Sequence, residues 1–348
     1  MKSKVILTGF VLSVASLLFS LGLAEAVVRL FGLAPQLQVI EFSQGAYRTT
    51  ENPLLPYIPN PGRGLFNSLG LRDRERSPVE VEQGRPRVVA LGDSVLFGGG
   101  VDLKEIFAIR LERELQKSLG AQAQVFNLGV PGYNTRNEVE YYKLRGAALR
   151  PDLILVAYCL NDAFVHSTEL AELLSDPRYA SQRALAPGLS STLSRGLFIY
   201  SHFFRLLGTR LSASLSANKD AEDPLASHAA GRSAVREALA ELVEIAKEQN
   251  IKVHLVVFPY LFSFSDYPMA DEHKFIRALA FELGISVTDL FETFRGAVGN
   301  DGEALRIFAP DLKHLNPRGH QITAQVLSTE IRTLLSPRDH GDSAETGE

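Results

Sequence analysis

Arg87-Val88-Val89-Ala90-Leu91-Gly92-Asp93-Ser94 is an apolar, β-branched run that stops abruptly in Gly-Asp-Ser. Such a run reads as a buried strand, and its ending presents a hydroxyl at the strand's C-terminal end. In an open parallel sheet that edge is where ligands bind. If the chain turns into a helix or tight loop after Ser94, the Ser94 amide also points free there. One residue then offers both a nucleophile and an anion donor. Gly-Asp-Ser alone is a common tripeptide, so its meaning depends on partners farther along the chain.

Outward from this stretch the pattern is strand, then helix. Asp102-Leu103-Lys104-Glu105 has the form of a capping box before an amphipathic run to Leu119. A strand over 123–128, a helix over 136–149 and a strand over 152–158 follow. Beyond a long insertion come a helix over 231–249, strand Val253–Phe258, a helix over 271–283, strand Ser286–Asp289 and a helix over Pro317–Leu335. Asn316-Pro317 is a helix cap with proline in the first turn. Strands alternating with helices of this length predict a parallel sheet covered on both faces.

Three later blocks could serve Ser94. Asp311-Leu312-Lys313-His314 offers a base and a carboxylate to fix its tautomer, which a serine hydroxyl needs before it becomes a nucleophile. Asn127-Leu128-Gly129-Val130-Pro131-Gly132 and Tyr158-Cys159-Leu160-Asn161-Asp162 each follow an apolar strand. They hold a glycine amide and an asparagine amide, the donor types of an oxyanion hole. Taken singly each residue has a plainer reading: Ser94 as a helix cap, Asp311 as a turn residue, His314 as a surface histidine, Asn161 as a left-handed turn residue. It is the four blocks in order, each at a strand end, that carry the chemistry. Asp93 and Asp162 read as acceptors bracing the loops, and Cys159 as a small buried residue rather than a thiol nucleophile.

In these four blocks the chain resembles the SGNH (GDSL-type) hydrolase family, with Cys159 where the family often has glycine. The resemblance spreads over most of residues 85–335. It implies a flavodoxin-like three-layer α/β/α sandwich with a central, mostly parallel sheet, and no cofactor or metal. It implies Ser94 as nucleophile, His314 as general base and then acid, and Asp311 as its orienter. The implied oxyanion hole is the Ser94 amide, the Gly132 amide and the Asn161 side chain.

The N-terminus sets a second expectation. Val5 to Ala24 carry no charge, with Lys2 and Lys4 before them. Twenty such residues at about 1.5 Å each span a bilayer core of roughly 30 Å. The lysines predict the N-terminus inside and the rest of the chain outside. Ala24-Glu25-Ala26 has the form of a signal-peptide cleavage site, yet the apolar run exceeds the roughly 7–15 residues of a signal peptide. An uncleaved anchor is the favoured reading. It places the hydrolase domain on the periplasmic side of a bacterial inner membrane. Gly9, Ser13, Ser16 and Ser20 share one helix face, which would suit a membrane-protein partner or self-association.

The expected organisation is therefore a transmembrane helix (1–26), an extended membrane-proximal segment rich in proline (27–84), the hydrolase domain (85–336) and a polar, disordered tail (337–348). Within the domain, 163–230 is an insertion for which two readings stay open: a helical lid, or a surface subdomain or membrane-proximal patch. Residues 67–74 are expected near the site. The single cysteine excludes an intramolecular disulfide, and a net charge of −4 with scattered Lys and Arg gives no sign of nucleic acid. No phosphate loop, His-Glu-x-x-His pair or cysteine zinc spacing occurs.

The expected reaction is removal of an acyl group, O-acetyl above all, from a cell-envelope or exported carbohydrate ester. The same triad would serve a membrane-tethered polysaccharide O-acetyltransferase. A non-catalytic envelope-binding module is the third reading, disfavoured because every site residue is present.

Overall fold

The computed structural model describes residues 2–31, 33–34, 45–77, 80, 85–163, 201–204, 206–207, 224–308 and 311–336. Five strands form one parallel sheet: β3 (Arg87–Gly92), β4 (Gln124–Gly129), β5 (Leu153–Cys159), β6 (Lys252–Phe258) and β7 (Ser286–Asp289), in the order β4-β3-β5-β6-β7. A short antiparallel pair, β1 (Tyr47–Thr49) and β2 (Tyr57–Pro59), lies outside it.

The alternation of side chains along each strand divides the core. Val89, Leu91, Ile154, Val156, Leu255 and Val257 face one layer, made by α4 (Thr135–Tyr141), α5 (Pro224–Glu248) and α6 (Ala270–Glu282). Val88, Ala90, Leu153, Leu155 and Val256 face the other, made by α3 (Phe107–Leu119), α7 (Leu290–Val298) and α8 (Pro317–Leu335). With both faces covered, the central strands are near-continuous apolar runs, as buried parallel strands are, with Arg87 and His254 the buried polar exceptions in β3 and β6. Each such Val, Ile or Leu contributes roughly 1.5–3 kcal/mol of burial.

The strand order creates the place for a site. The chain leaves β3 for β4 on one side and then crosses to β5 on the other, so the connections diverge at the C-terminal end of β3. Gly92 pairs with Gly129 on one side and Ala157 on the other. The segments following β3, β4 and β5 therefore leave the same rim.

Residues 45–77 wrap the α4 side, and their small sheet was not expected from the prolines. The Tyr57 hydroxyl donates to Pro131 O (2.8 Å), and the Tyr133 hydroxyl donates to Tyr57 O (2.5 Å). Of residues 67–74, expected near the site, Arg72 reaches Phe97, three residues beyond Ser94, with its guanidinium 5.1 Å over the ring. A buried cluster fixes the end of this wrap. Arg76 donates to Asp73 (2.9 Å), Glu112 (2.6 Å) and Val125 O (2.9 Å), and lies over the Phe126 ring. Removing one partner of such a cluster leaves an uncompensated buried charge, at about 3–5 kcal/mol.

Several expectations are corrected. Asp102 makes no capping hydrogen bond. Leu103–Glu105 form a separate 3-10 turn, and α3 starts only after the extended Ile106, so the polar box precedes the turn and caps neither it nor the helix with a side chain. The helix expected over 136–149 is α4 followed by a π turn and a 3-10 turn, ended by left-handed Arg150 before Pro151. α5 starts at Pro224, seven residues before the expected 231, because proline suits a first helical turn. The Asn316 cap holds, its side chain accepting from Arg318 and Gly319 N–H. Most of the insertion and the whole tail lie outside the described residues, as do residues 219–223 of the expected flexible stretch Lys219 to Pro224, whose last residue begins α5.

At the N-terminus, α1 (Lys2–Leu30) is one continuous helix. Thr8–Leu30 is long and apolar enough to cross a membrane, as an anchor or a signal sequence would be.

Candidate active site

β3 ends at Gly92, and α2 (Ser94–Phe97) starts at once, capped by the Asp93 carboxylate accepting from Val95 N–H (2.8 Å). The abrupt turn requires glycine at 92: a Cβ there would meet Leu96 Cβ at 2.7 Å. Ser94 is thereby fixed as the first residue of a helical turn on the rim, with its N–H among those a helix leaves unpaired. Its hydroxyl is 2.8 Å from His314 Nε2, and His314 Nδ1 is 2.6 Å from Asp311 Oδ2.

The loop that brings His314 to Ser94 is built around the same aspartate. Asp311 Oδ1 accepts from Lys313 N–H (2.8 Å) and His314 N–H (2.9 Å), so the carboxylate organises its own turn while meeting the ring. Leu261 N–H donates to Leu312 O (2.7 Å) and Ile307 N–H to His314 O (3.0 Å), tying the loop to its neighbours. Burial alone raises the Asp311 carboxyl. The His314 side-chain bond and the two backbone donors outweigh it, and its pKa lies below the ordinary value. Ionised, it only accepts, so the His314 proton sits on Nδ1. Nε2 then has a lone pair facing the Ser94 hydroxyl, which donates to it.

Two further predicted residues come to the same rim. Asn161 follows β5 by two residues, and its amide Nδ2 donates to Asp93 Oδ2 (3.2 Å). That contact fixes the amide's orientation, since the oxygen could not face a carboxylate. Gly132 follows β4 in a left-handed conformation (φ 82°) that favours glycine. Val130, two residues earlier, donates its N–H to Gly92 O (3.0 Å). Among the described residues, the Ser94 and Gly132 N–H groups donate to no acceptor. A hydroxyl, a tautomer-fixed imidazole and free N–H donors on one rim can together carry out acyl transfer.

The sequence model of the GDSL-like lipase/acylhydrolase family matches residues 90–322, more than half of the chain. The chain belongs to this family. As an acylhydrolase it acts on ester bonds, and the matched span runs from β3 through α8, enclosing Ser94, Gly132, Asn161, Asp311 and His314. Solved structures resemble it at low identity. An acetylxylan esterase from Geobacillus stearothermophilus is 17% identical, covering 71% of this chain and 94% of its own, with a TM-score of 0.45. A lipase/acylhydrolase from Enterococcus faecalis is 16% identical, covering 73% and 98%, with a TM-score of 0.45. An α/β hydrolase from the metagenome of Lake Arreo is also 16% identical, covering 73% and 98%, at 0.47. No curated protein matches the chain.

The acylhydrolase rim also holds a buried carboxyl that sequence reasoning missed. Asp162 accepts from Thr135 Oγ1 (3.0 Å), the bracing role expected of it. Glu138, from α4, is fully enclosed, and neither of its oxygens has a partner among the described residues. Burial, then the charges of Asp162 and Asp93, push the Glu138 carboxyl well above its ordinary pKa. Burial and then Asp93 do the same to Asp162, against the Thr135 bond and Lys313. Nothing in Thr135-Arg-Asn-Glu138-Val-Glu distinguishes Glu138 from an exposed helix residue; only its place four residues before the buried Tyr142 hints at the inner face. Cys159 is buried and its thiol pushed up by burial, as a packing residue's would be.

Proposed function

We propose that this acylhydrolase cleaves its ester through Ser94, with His314 as general base and then acid and Asp311 as the group that orients His314. Ser94 Oγ attacks the acyl carbonyl carbon while its proton passes to His314 Nε2. The resulting oxyanion is held by the N–H groups of Ser94 and Gly132 and by Asn161 Nδ2. The carbon–oxygen bond to the alcohol breaks, and the alcohol leaves with the proton from Nε2. Water then attacks the acyl-serine ester, giving its proton to Nε2, and the acid departs as Ser94 recovers its proton. Asp311 remains ionised throughout and stabilises the imidazolium formed twice in the cycle.

One observation carries this reading: the unbroken line Asp311–His314–Ser94, at 2.6 and 2.8 Å, on the diverging rim of the sheet. The substrate class follows from where the enzyme would stand. The uncharged run Val5–Ala24 behind Lys2 and Lys4 supports an anchor with the catalytic domain on the extracytoplasmic side. A tethered acylhydrolase there meets carbohydrates of the envelope or in export, whose hydroxyls carry short acyl esters, acetyl first.

The test is acetate release from an O-acetylated polysaccharide by the full-length protein in detergent, beside Ser94→Ala. Ser94-dependent release into water is expected. If acetate instead moved only to an added sugar acceptor, the protein would be a transferase and the hydrolytic reading would fail.

A further inference from the structure

The apolar run of α1 ends in a carboxylate, Glu25, and that carboxylate is fully engaged by a segment 176 residues away. Glu25 Oε2 accepts from Ser201 Oγ (2.8 Å) and from Phe203 N–H (2.9 Å), and Oε1 accepts from His202 N–H (2.9 Å). Arg29, one turn on, donates to Oε1 as well (2.5 Å). The chain is helical from His202, and Ser201 Oγ accepts from Phe204 N–H (3.1 Å). The leading N–H groups of this turn are therefore all satisfied, two by Glu25 and one by the serine that Glu25 itself holds. Those donors are the ones a helix start cannot satisfy internally.

Position gives the contact its meaning. Val5–Ala24 are uncharged and about 30 Å long as helix, so Glu25 stands where a bilayer core would end. α1 buries almost none of its apolar surface on the rest of the chain: Phe19 is 74% exposed, and Leu30 and Phe31 beyond Glu25 are similarly open. The segment docked at Glu25 is itself apolar. Phe203 and Phe204 are half-buried there, and Leu207 is exposed. Cleavage after Ala24-Glu25-Ala26 would remove Glu25 and leave Ser201, His202 and Phe203 without their acceptor.

We propose that Glu25 is a latch that fastens the insertion to a retained N-terminal helix, holding the turn from Ser201 against the bilayer surface with Phe203, Phe204 and Leu207 toward lipid. This rests on reading α1 as a membrane span and is independent of the chemistry at Ser94. Of the two roles open to the insertion, the latch assigns this part of it the membrane-proximal one. The partner is the lipid interface on the side where the acylhydrolase domain stands, where apolar rings are favoured.

The experiment uses full-length protein isolated from membranes and placed in phosphatidylcholine–phosphatidylglycerol nanodiscs. Its intact mass is expected to include residues 1–26; a chain starting at residue 27 would overturn the proposal. Hydrogen exchange at the His202 and Phe203 amides is expected to speed up roughly fivefold or more in Glu25→Ala, as loss of a cap implies. Unchanged exchange would refute the latch. In a separate variant with Glu25 intact, Phe203→Trp emission should be quenched by brominated acyl chains. Emission insensitive to them would show that the turn stands away from lipid. None of these readouts involves Ser94, so an inactive enzyme and a missing latch are told apart.

Discussion

Among the described residues two histidine–aspartate pairs lie inside the fold, and they differ in what lies beyond the ring. In the first, Asp311 holds His314 Nδ1, and Nε2 faces the Ser94 hydroxyl at 2.8 Å. In the second, Asp289 holds His273 Nδ1 at 2.9 Å, and Nε2 lies 3.2 Å from the Tyr267 hydroxyl. The aspartates are used alike. Asp311 accepts from Lys313 N–H, and Asp289 accepts from Phe291 N–H to cap α7. The hydroxyls are not alike. Tyr267 accepts from Tyr260 N–H (2.8 Å), and burial pushes its phenol above the usual range, so it stays a neutral, doubly used group. Asp289 is further neutralised by Arg277 (3.4 Å). The second pair is a closed knot that pins the segment after β6. The first ends on a hydroxyl at the sheet rim, beside N–H groups that donate to no acceptor among the described residues. An imidazole oriented by a carboxylate is thus common to both; the difference lies in the group at its other nitrogen and the donors around it.

The comparison breaks first at Ser94. Ser94→Ala is expected to lower turnover by about 10⁴-fold or more, with an unchanged circular dichroism spectrum, because only one rim hydroxyl is lost. His314→Ala combined with Ser94→Ala should cost little more than either alone, since the two act as a unit. Asp311→Asn comes next, at roughly 10³–10⁴-fold in kcat, through loss of the correct tautomer. Asn161→Ala should reduce kcat about 10²–10³-fold and leave KM nearly unchanged, as a donor used in the transition state would.

His273→Ala sharpens the contrast from the other side. It leaves Asp289 and Tyr267 without their shared partner, at about 1–3 kcal/mol of stability by denaturant titration. Its effect on kcat is expected to stay under about tenfold. A loss as large as that of His314→Ala would show that the two pairs are not functionally distinct.

The smallest expected effect concerns pH. Glu138 has a pKa raised in the fold, so its proton is bound more tightly folded than unfolded. The stability it contributes is full below the unfolded carboxylate range near pH 4.3 and is lost as pH rises through the folded value. Glu138→Gln keeps the shape without the ionisation. It should flatten the decline of the unfolding midpoint with rising pH, while an unaltered slope would remove Glu138 from the account. Asp311 runs the other way: its lowered pKa adds stability above the ordinary range, lost as pH falls through the folded value.

The contrast between the pairs also explains what was legible in the sequence. Asp311 and His314 are three residues apart, so one short loop can join them and the spacing can be read. His273 and Asp289 come from different elements, and no local pattern announces their meeting. The strands from Arg87, Leu153 and Lys252 were legible because a sheet covered on both faces demands near-continuous apolar runs. The β1–β2 pair was not, since two three-residue strands carry no period and sit among prolines. The Asp102 box misled because its spacing fits a helix start, while Ile106 delays the helix by a turn. Glu138 was invisible because burial of a carboxyl depends on what packs over it, here the Asp162 side of the rim. Glu25 was read only as part of a cleavage-like tripeptide, because its partner lies far away in the chain.

The most direct test of the central claim is the acid-quenched reaction of full-length protein with p-nitrophenyl acetate, followed by peptide mass spectrometry. The account predicts an acetyl group on the peptide containing Ser94, on that residue, formed with a burst of p-nitrophenolate and absent from Ser94→Ala. An acetyl group on another residue, or a burst that survives in Ser94→Ala, would contradict it.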